Sequence, residues 1–159
     1  TSLTHIYFGH NFNNTLGHLL NNCSSLVRIG LGVHFKQKVV FPPNIKSLII
    51  DNDYCIEHLS DTIEEILFGY NFGCNFMQKL NFQGCELDKL PSSTKKIEFN
   101  RYGKFNKNIN SFPNGLKILK LPTSYNKQIQ NIPKGLTKLV CSKDYPYISE
   151  FAGIEIETY

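Results

Sequence analysis

The chain has 159 residues, 41% of them hydrophobic and 19% charged, with a net charge of +4. That balance describes a globular chain rather than a disordered one, and its charge is too mild to demand a nucleic-acid partner. Unbroken apolar runs stop at a few residues, such as Leu48-Ile49-Ile50, which excludes a membrane-spanning helix.

From the first residues onward, one spacing recurs: apolar, two residues, apolar, one residue, apolar. It fits Leu3/Ile6/Phe8, Leu26/Ile29/Leu31, Ile45/Leu48/Ile50 and Ile63/Ile66/Phe68. It continues through Met77/Leu80/Phe82 and, with a polar first member, Thr94/Ile97/Phe99. Leu116/Leu119/Leu121, Leu136/Leu139/Cys141 and Phe151/Ile154/Ile156 complete nine registers. The last two apolar positions alternate, so each unit predicts a short strand with one face inward. The steps between registers run from 14 to 23 residues, too short for a strand, two corners and a regular helix. The returns are therefore expected to be irregular or to hold single 3₁₀ turns. A fixed period of this size marks a stacked solenoid.

A second ladder supports the register. An aromatic follows each strand by four residues at Phe12, Phe35, Tyr54, Phe72, Tyr125 and Tyr145. Phe105 is the same feature with two residues inserted. Further on come an apolar residue, as at Leu16, Val39, Phe76, Ile109 and Ile129, and then an X-Pro step at Leu90-Pro91, Phe112-Pro113 and Ile132-Pro133. Proline cannot donate to a strand ladder and belongs in the return. Gly115 and Gly135 are expected to free the backbone at the corner before the next strand. Asn13, Asn106 and Asn126 are expected to be buried and to satisfy turn backbone. One coil buries too little apolar surface to offset the ordering of its own backbone, so stability should be cooperative along the stack. The fold class read here is mainly β: a right-handed leucine-rich-repeat-like solenoid with about nine short parallel strands in one sheet. Its handedness is that of parallel crossovers.

The repeat is clearest at Phe105-Asn106…Phe112-Pro113 and Tyr125-Asn126…Ile132-Pro133, and good at Leu3-Thr4-His5-Ile6-Tyr7-Phe8-Gly9…Phe12-Asn13 and residues 63–72. These residues resemble the FNIP repeat, a leucine-rich-repeat-like unit found in slime moulds and in giant viruses of amoebae. The resemblance covers nearly the whole chain and is weakest over residues 73–94, where the Asn is missing. It implies a protein-protein interaction module, in some relatives the substrate-recognition part of an F-box-type ubiquitin ligase adaptor. It carries over no catalytic residue. Residues 1–159 are read as one repeat domain belonging to a longer protein, since the chain starts without Met and without a signal peptide's charged start and apolar middle.

Motifs that carry chemistry are incomplete. Gly30-Leu31-Gly32-Val33-His34-Phe35 lacks the third glycine of a dinucleotide fingerprint. Asp51-Asn52-Asp53 starts like a calcium loop, but Ile56 and Thr62 stand where Gly and Glu are needed. His5, His10, His18, His34 and His58 share no metal-ligand spacing with the cysteines. The five cysteines, Cys23, Cys55, Cys74, Cys85 and Cys141, are odd in number without a CxxC pair, which fits a reduced, intracellular or virion setting rather than secretion. The sequons at Asn13 and Asn22 read as accidents of an Asn-rich chain. No enzyme, cofactor, metal or small-molecule substrate is expected.

Function is then expected on the outward, concave sheet face, whose residues flank the inward ones. Tyr7, Arg28, Ile49 and Leu67 form its first half; Lys79, Lys96, Lys120 and Lys138 form a basic second half. The partner expected from those lysines is a protein with an acidic patch. Nucleic acid is not expected, because the basic lane lacks interleaved aromatics. The alternative is a structural or packaging component, for example of a virus particle, that stacks through its solenoid ends.

Overall fold

The computed structural model describes residues 3–20, 22–51, 59–72 and 85–159. Ten short strands run through them: β1 (His5–Tyr7), β2 (Arg28–Leu31), β3 (Ser47–Ile50), β4 (Glu65–Phe68), β5 (Cys85–Glu86), β6 (Lys96–Phe99), β7 (Ile109–Ser111), β8 (Ile118–Lys120), β9 (Lys138–Cys141) and β10 (Glu155–Thr158). Eight of them form one sheet in the order β1-β2-β3-β4-β6-β8-β9-β10. Every pairing in it is parallel. The helical content of the described residues is two 3₁₀ turns, Leu87–Lys89 and Ile148–Phe151. The chain is thus a leucine-rich-repeat-like β-solenoid, as the spacing predicts.

The register is that of the inward apolar residues. Ile29, Leu48, Ile66, Ile97, Leu119 and Leu139 stack directly above one another and are fully buried. Two residues on, Leu31, Ile50, Phe68, Phe99, Leu121 and Cys141 are buried as a second row. Each such side chain contributes roughly 1.5–3 kcal/mol by leaving water, but only with a neighbouring coil on either side. The backbone repeats with equal regularity. The residue before each strand donates its N–H to its counterpart one coil earlier, as in Lys46 to Val27, Glu64 to Lys46, Lys95 to Glu64 and Thr137 to Lys117.

Where each strand ends, a tight turn closes on the aromatic: Phe12, Phe35, Phe72, Tyr125 and Tyr145 each donate N–H to the carbonyl three residues back. The rings stack from coil to coil. Phe12 lies 6.1 Å from Phe35 and 3° from parallel, and Phe105 lies 6.0 Å from Tyr125 at 2°. The asparagine ladder exists, but it is not buried. Asn13 Oδ1 accepts from Lys36 N (2.7 Å) and Asn106 Oδ1 from Asn126 N (3.0 Å), both at the solvent-facing corner. Each side chain therefore bridges to the next coil rather than satisfying its own turn.

Three expectations need correction. First, β4 and β6 are hydrogen-bonded neighbours, with Ile66 opposite Ile97. The register Met77/Leu80/Phe82 lies outside the described residues. The pairing runs unbroken from Glu65–Lys96 to Phe68–Phe99. Cys85–Glu86, which forms β5, pairs with β7 in a separate two-stranded sheet. Second, the residue opposite Leu139 is Ile156, not Ile154. The 3₁₀ turn over Ile148–Phe151 seats Phe151 in the core, and Ile154 N closes a turn on the Phe151 carbonyl. The strand consequently starts later than the apolar spacing suggests. Third, Gly115 is not set by a left-handed conformation, since the positive-φ glycines among the described residues are Gly17 and Gly153. A Cβ on Gly115 would meet the Ser92 carbonyl at 2.5 Å, so close packing of neighbouring coils demands the glycine.

Candidate functional site

The alternation that buries Ile29, Leu48 and Ile66 turns their flanking residues outward, in two lanes that cross the strands. One lane reads His5, Arg28, Ser47, Glu65, Lys96, Ile118, Lys138, Glu155. The other reads Tyr7, Gly30, Ile49, Leu67, Glu98, Lys120, Val140, Glu157. Seven of the eight residues expected on this face, Tyr7, Arg28, Ile49, Leu67, Lys96, Lys120 and Lys138, are there. Lys79 lies outside the described residues, and the ladder neighbour of Lys96 on that side is Glu65.

In the first half, Tyr7, Ile49 and Leu67 share one lane, with Gly30 between the first two. Tyr7 is half exposed, while Ile49 and Leu67 are partly covered. Burial of part of the ring, aided by the Asp51 carboxylate, pushes the Tyr7 phenol above its usual pKa. Beside this lane Arg28 spans three strands. Its Nε donates to Ser47 Oγ (3.0 Å) and its Nη2 to Glu65 Oε2 (3.2 Å). An open groove of about 250 Å³ runs alongside, lined by His5, Val27, Arg28, Lys46, Ser47, Glu64 and Glu65.

The second half is not a cationic row. Lys96 and Lys120 fall in different lanes and share Glu98 Oε2, at 3.0 and 3.6 Å. Lys138 reaches Glu155 at 2.7 Å and Glu157 at 2.9 Å. Those contacts hold the Lys138 ammonium above its usual pKa and the Glu157 carboxyl below its own. Residues two apart in a strand occupy different lanes, so the lysines alternate with carboxylates instead of stacking on one another. In the last coil the outward residues are Glu155 and Glu157, because Ile156 and not Ile154 lies opposite Leu139. Both carboxylates contact Lys138.

No groups of three or more His, Cys, Asp or Glu that could hold a metal occur among the described residues. Of the calcium-like run, only Asp51 is described. Its carboxylate is buried and accepts from Asn71 N (2.9 Å) and Asn71 Nδ2 (3.3 Å), which ties two coils together. Cys23 and Cys141 carry free thiols, and burial pushes the Cys141 thiol up, the opposite of a reactive cysteine. Among the described residues no helix is long and apolar enough to cross a membrane.

Sequence reasoning passed over the exposed rings of Tyr70 and Tyr102. The signal for Tyr102 was the two-residue insertion before Phe105. The extra residues make a second turn, in which Tyr102 N donates to Asn100 Oδ1 and Gly103 N to the Asn100 carbonyl.

The lanes and the core define a class: a leucine-rich-repeat-like solenoid presenting a parallel sheet face. The circular leucine-rich-repeat protein CroV588, from a giant virus, has a similar crystal structure, at 22% sequence identity and a TM-score of 0.51. The match covers 91% of this chain and 24% of that protein. No family model and no curated protein matches the sequence.

Proposed function

We propose that the chain is a non-enzymatic protein-interaction module that holds its partner on the outward sheet face of β1 to β4. The observation that carries this reading is the lane Tyr7–Gly30–Ile49–Leu67, an apolar strip on four consecutive strands with the Arg28–Glu65 pair at its side. Solenoids commonly bind through such a sheet face, and partly desolvated aromatic and aliphatic anchors supply most interface energy. The acidic patch first expected of the partner has to compete with Glu98, Glu155 and Glu157 for Lys96, Lys120 and Lys138. The partner that fits better is mainly apolar, with both signs of charge at its rim. The setting we infer is intracellular or on a virus particle. The ubiquitin-ligase role rests on the FNIP resemblance alone, and finding an F-box on the same reading frame is the observation that would support it.

A photo-reactive amino acid at position 49 should crosslink to one partner. Ile49→Asp with Leu67→Asp should abolish that crosslink and leave the melting temperature nearly unchanged. Lys120→Glu with Lys138→Glu should leave it intact. Survival of the crosslink in the Ile49/Leu67 double variant overturns this reading. If association instead requires the β1 and β10 edges, the structural, stacking role replaces it.

A further inference from the structure

The sheet face is charge-paired, so the net positive charge of the chain is carried elsewhere. Part of it lies on the rim where the strands end. Arg101 and Lys104 follow β6 there, and neither has a carboxylate partner among the described residues. Both instead lie against aromatic rings. The Arg101 guanidinium carbon is 5.3 Å from the Tyr102 ring centre and 4.6 Å from that of Tyr159, and Lys104 Nζ is 5.2 Å from that of Tyr70. Tyr102 is 68% exposed and Tyr70 44%, whereas the ladder rings Phe35, Phe72, Phe105, Tyr125 and Tyr145 are buried. The turns that bear them are adjacent: Lys104 N donates to the Tyr70 carbonyl at 3.3 Å, and Thr123 N in the next coil donates to the Arg101 carbonyl at 2.9 Å.

Exposed rings interleaved with unpaired cations are what an unpaired nucleic-acid strand requires. Bases stack on the ring faces irrespective of sequence, and the cations meet the phosphates. Arginine additionally matches phosphate geometry with its planar fork. A duplex keeps its base faces stacked internally and can use the charges but not the rings. We propose that the strand-end rim centred on Tyr70, Arg101, Tyr102 and Lys104 binds single-stranded nucleic acid without sequence preference. The lysines of the sheet face lack interleaved aromatics, whereas on this rim Tyr70 and Tyr102 stand beside the cations. The proposal is independent of the partner at β1 to β4.

The test is fluorescence polarisation of the full chain with labelled thymidine and uridine oligonucleotides of about 20 nucleotides at low salt. Saturable binding is expected, with log affinity falling linearly in log salt. Tyr70→Ala and Tyr102→Ala should each weaken it on the order of 5- to 150-fold, the fold-change equivalent of one lost stacking contact. Tyr102→Phe, which keeps the ring, should bind like the parent. Arg101→Glu should weaken binding and flatten the salt slope by about one unit or more. Lys138→Glu on the sheet face should leave affinity unchanged. Unaltered melting curves check that the variants fold. The proposal is overturned if neither oligonucleotide binds saturably, or if the alanine variants bind like the parent. It is equally overturned if a duplex of the same length binds as tightly, or if an acidic peptide displaces the oligonucleotide at matched charge. That last result assigns the rim to an acidic protein.

Discussion

Tyr7 lies across Gly30: a Cβ added at position 30 would come within 2.0 Å of Tyr7 Cδ2 and 2.7 Å of Cε2. The glycine is what lets the aromatic ring lie down on the sheet face between β1 and Ile49. Two residues on, Gly32 serves a different purpose, because its Cβ would meet the Gly9 carbonyl oxygen at 2.5 Å. A side-chain ring can swing away, whereas a backbone carbonyl held by the Phe12 turn cannot.

Gly30→Ala should therefore leave the melting temperature nearly unchanged while lifting the Tyr7 ring, seen as a shift of its NMR ring resonances. Gly32→Ala should separate the first two coils at a cost of about 1–3 kcal/mol. Hydrogen exchange of the β1 and β2 amides reads the difference. Equal effects of the two variants would show that the coil spacing at Gly9 and Gly32 is not tight.

Thr94 occupies the slot that Leu26, Ile45, Ile63 and Leu116 fill in other coils, and it is fully buried. Its Oγ1 has no hydrogen-bond partner among the described residues. Thr94→Val keeps the shape and removes a desolvated hydroxyl, worth about 1–3 kcal/mol when left unsatisfied. Thermal melting should rise by roughly 2–12 °C for a chain of this size. A fall would mean that the hydroxyl has a partner in solution.

Asn106 and Asn126 are equivalent by sequence but not by structure. Asn106 Oδ1 accepts from Asn126 N, whereas the residue after the next ladder aromatic, Tyr145, is Pro146, which has no N–H to give. Asn106→Ala should cost about 0.5–1.5 kcal/mol, and Asn126→Ala should be near neutral. Denaturant titration of the two variants decides it, and a larger loss for Asn126→Ala would refute the ladder.

The contacts of Lys138 give the last coil a pH dependence with a defined sign. The Glu157 carboxyl is held below its usual pKa by Lys138, first through its hydrogen bond and then through its charge. A depressed carboxyl contributes stability that is complete above its unfolded value, about 4.3, and is lost as pH falls through the lower folded value. Lys138, raised by Glu155 and then Glu157, loses its contribution only as pH rises past the ordinary lysine range. The β10 amides should thus exchange faster relative to those of β3 once pH drops below about 4. Lys138→Met should remove that difference. An unchanged profile in Lys138→Met would separate the β10 strand's stability from this ion pair.

The sequence by itself determined the solenoid, because a strand pattern every 14 to 23 residues can bury its apolar face only against copies of itself. It also determined which residues turn outward, since side-chain alternation is a property of the backbone and not of its surroundings. Ile6, Ile29, Leu48, Ile66, Ile97, Leu119 and Leu139 could all be placed this way. Tertiary structure decided the neighbours. The spacing alone would make β4 and β6 second neighbours in the sheet, and only tertiary structure shows that they pair directly. Ile154 fitted the spacing as well as Ile156 did, until the 3₁₀ turn at Phe151 displaced the start of β10. The charge of the sheet face followed from those pairings. Lys96 has Glu65 rather than another lysine as its ladder neighbour because β4 lies beside β6, and a pairing between strands that are not adjacent in sequence is set by packing of the whole stack.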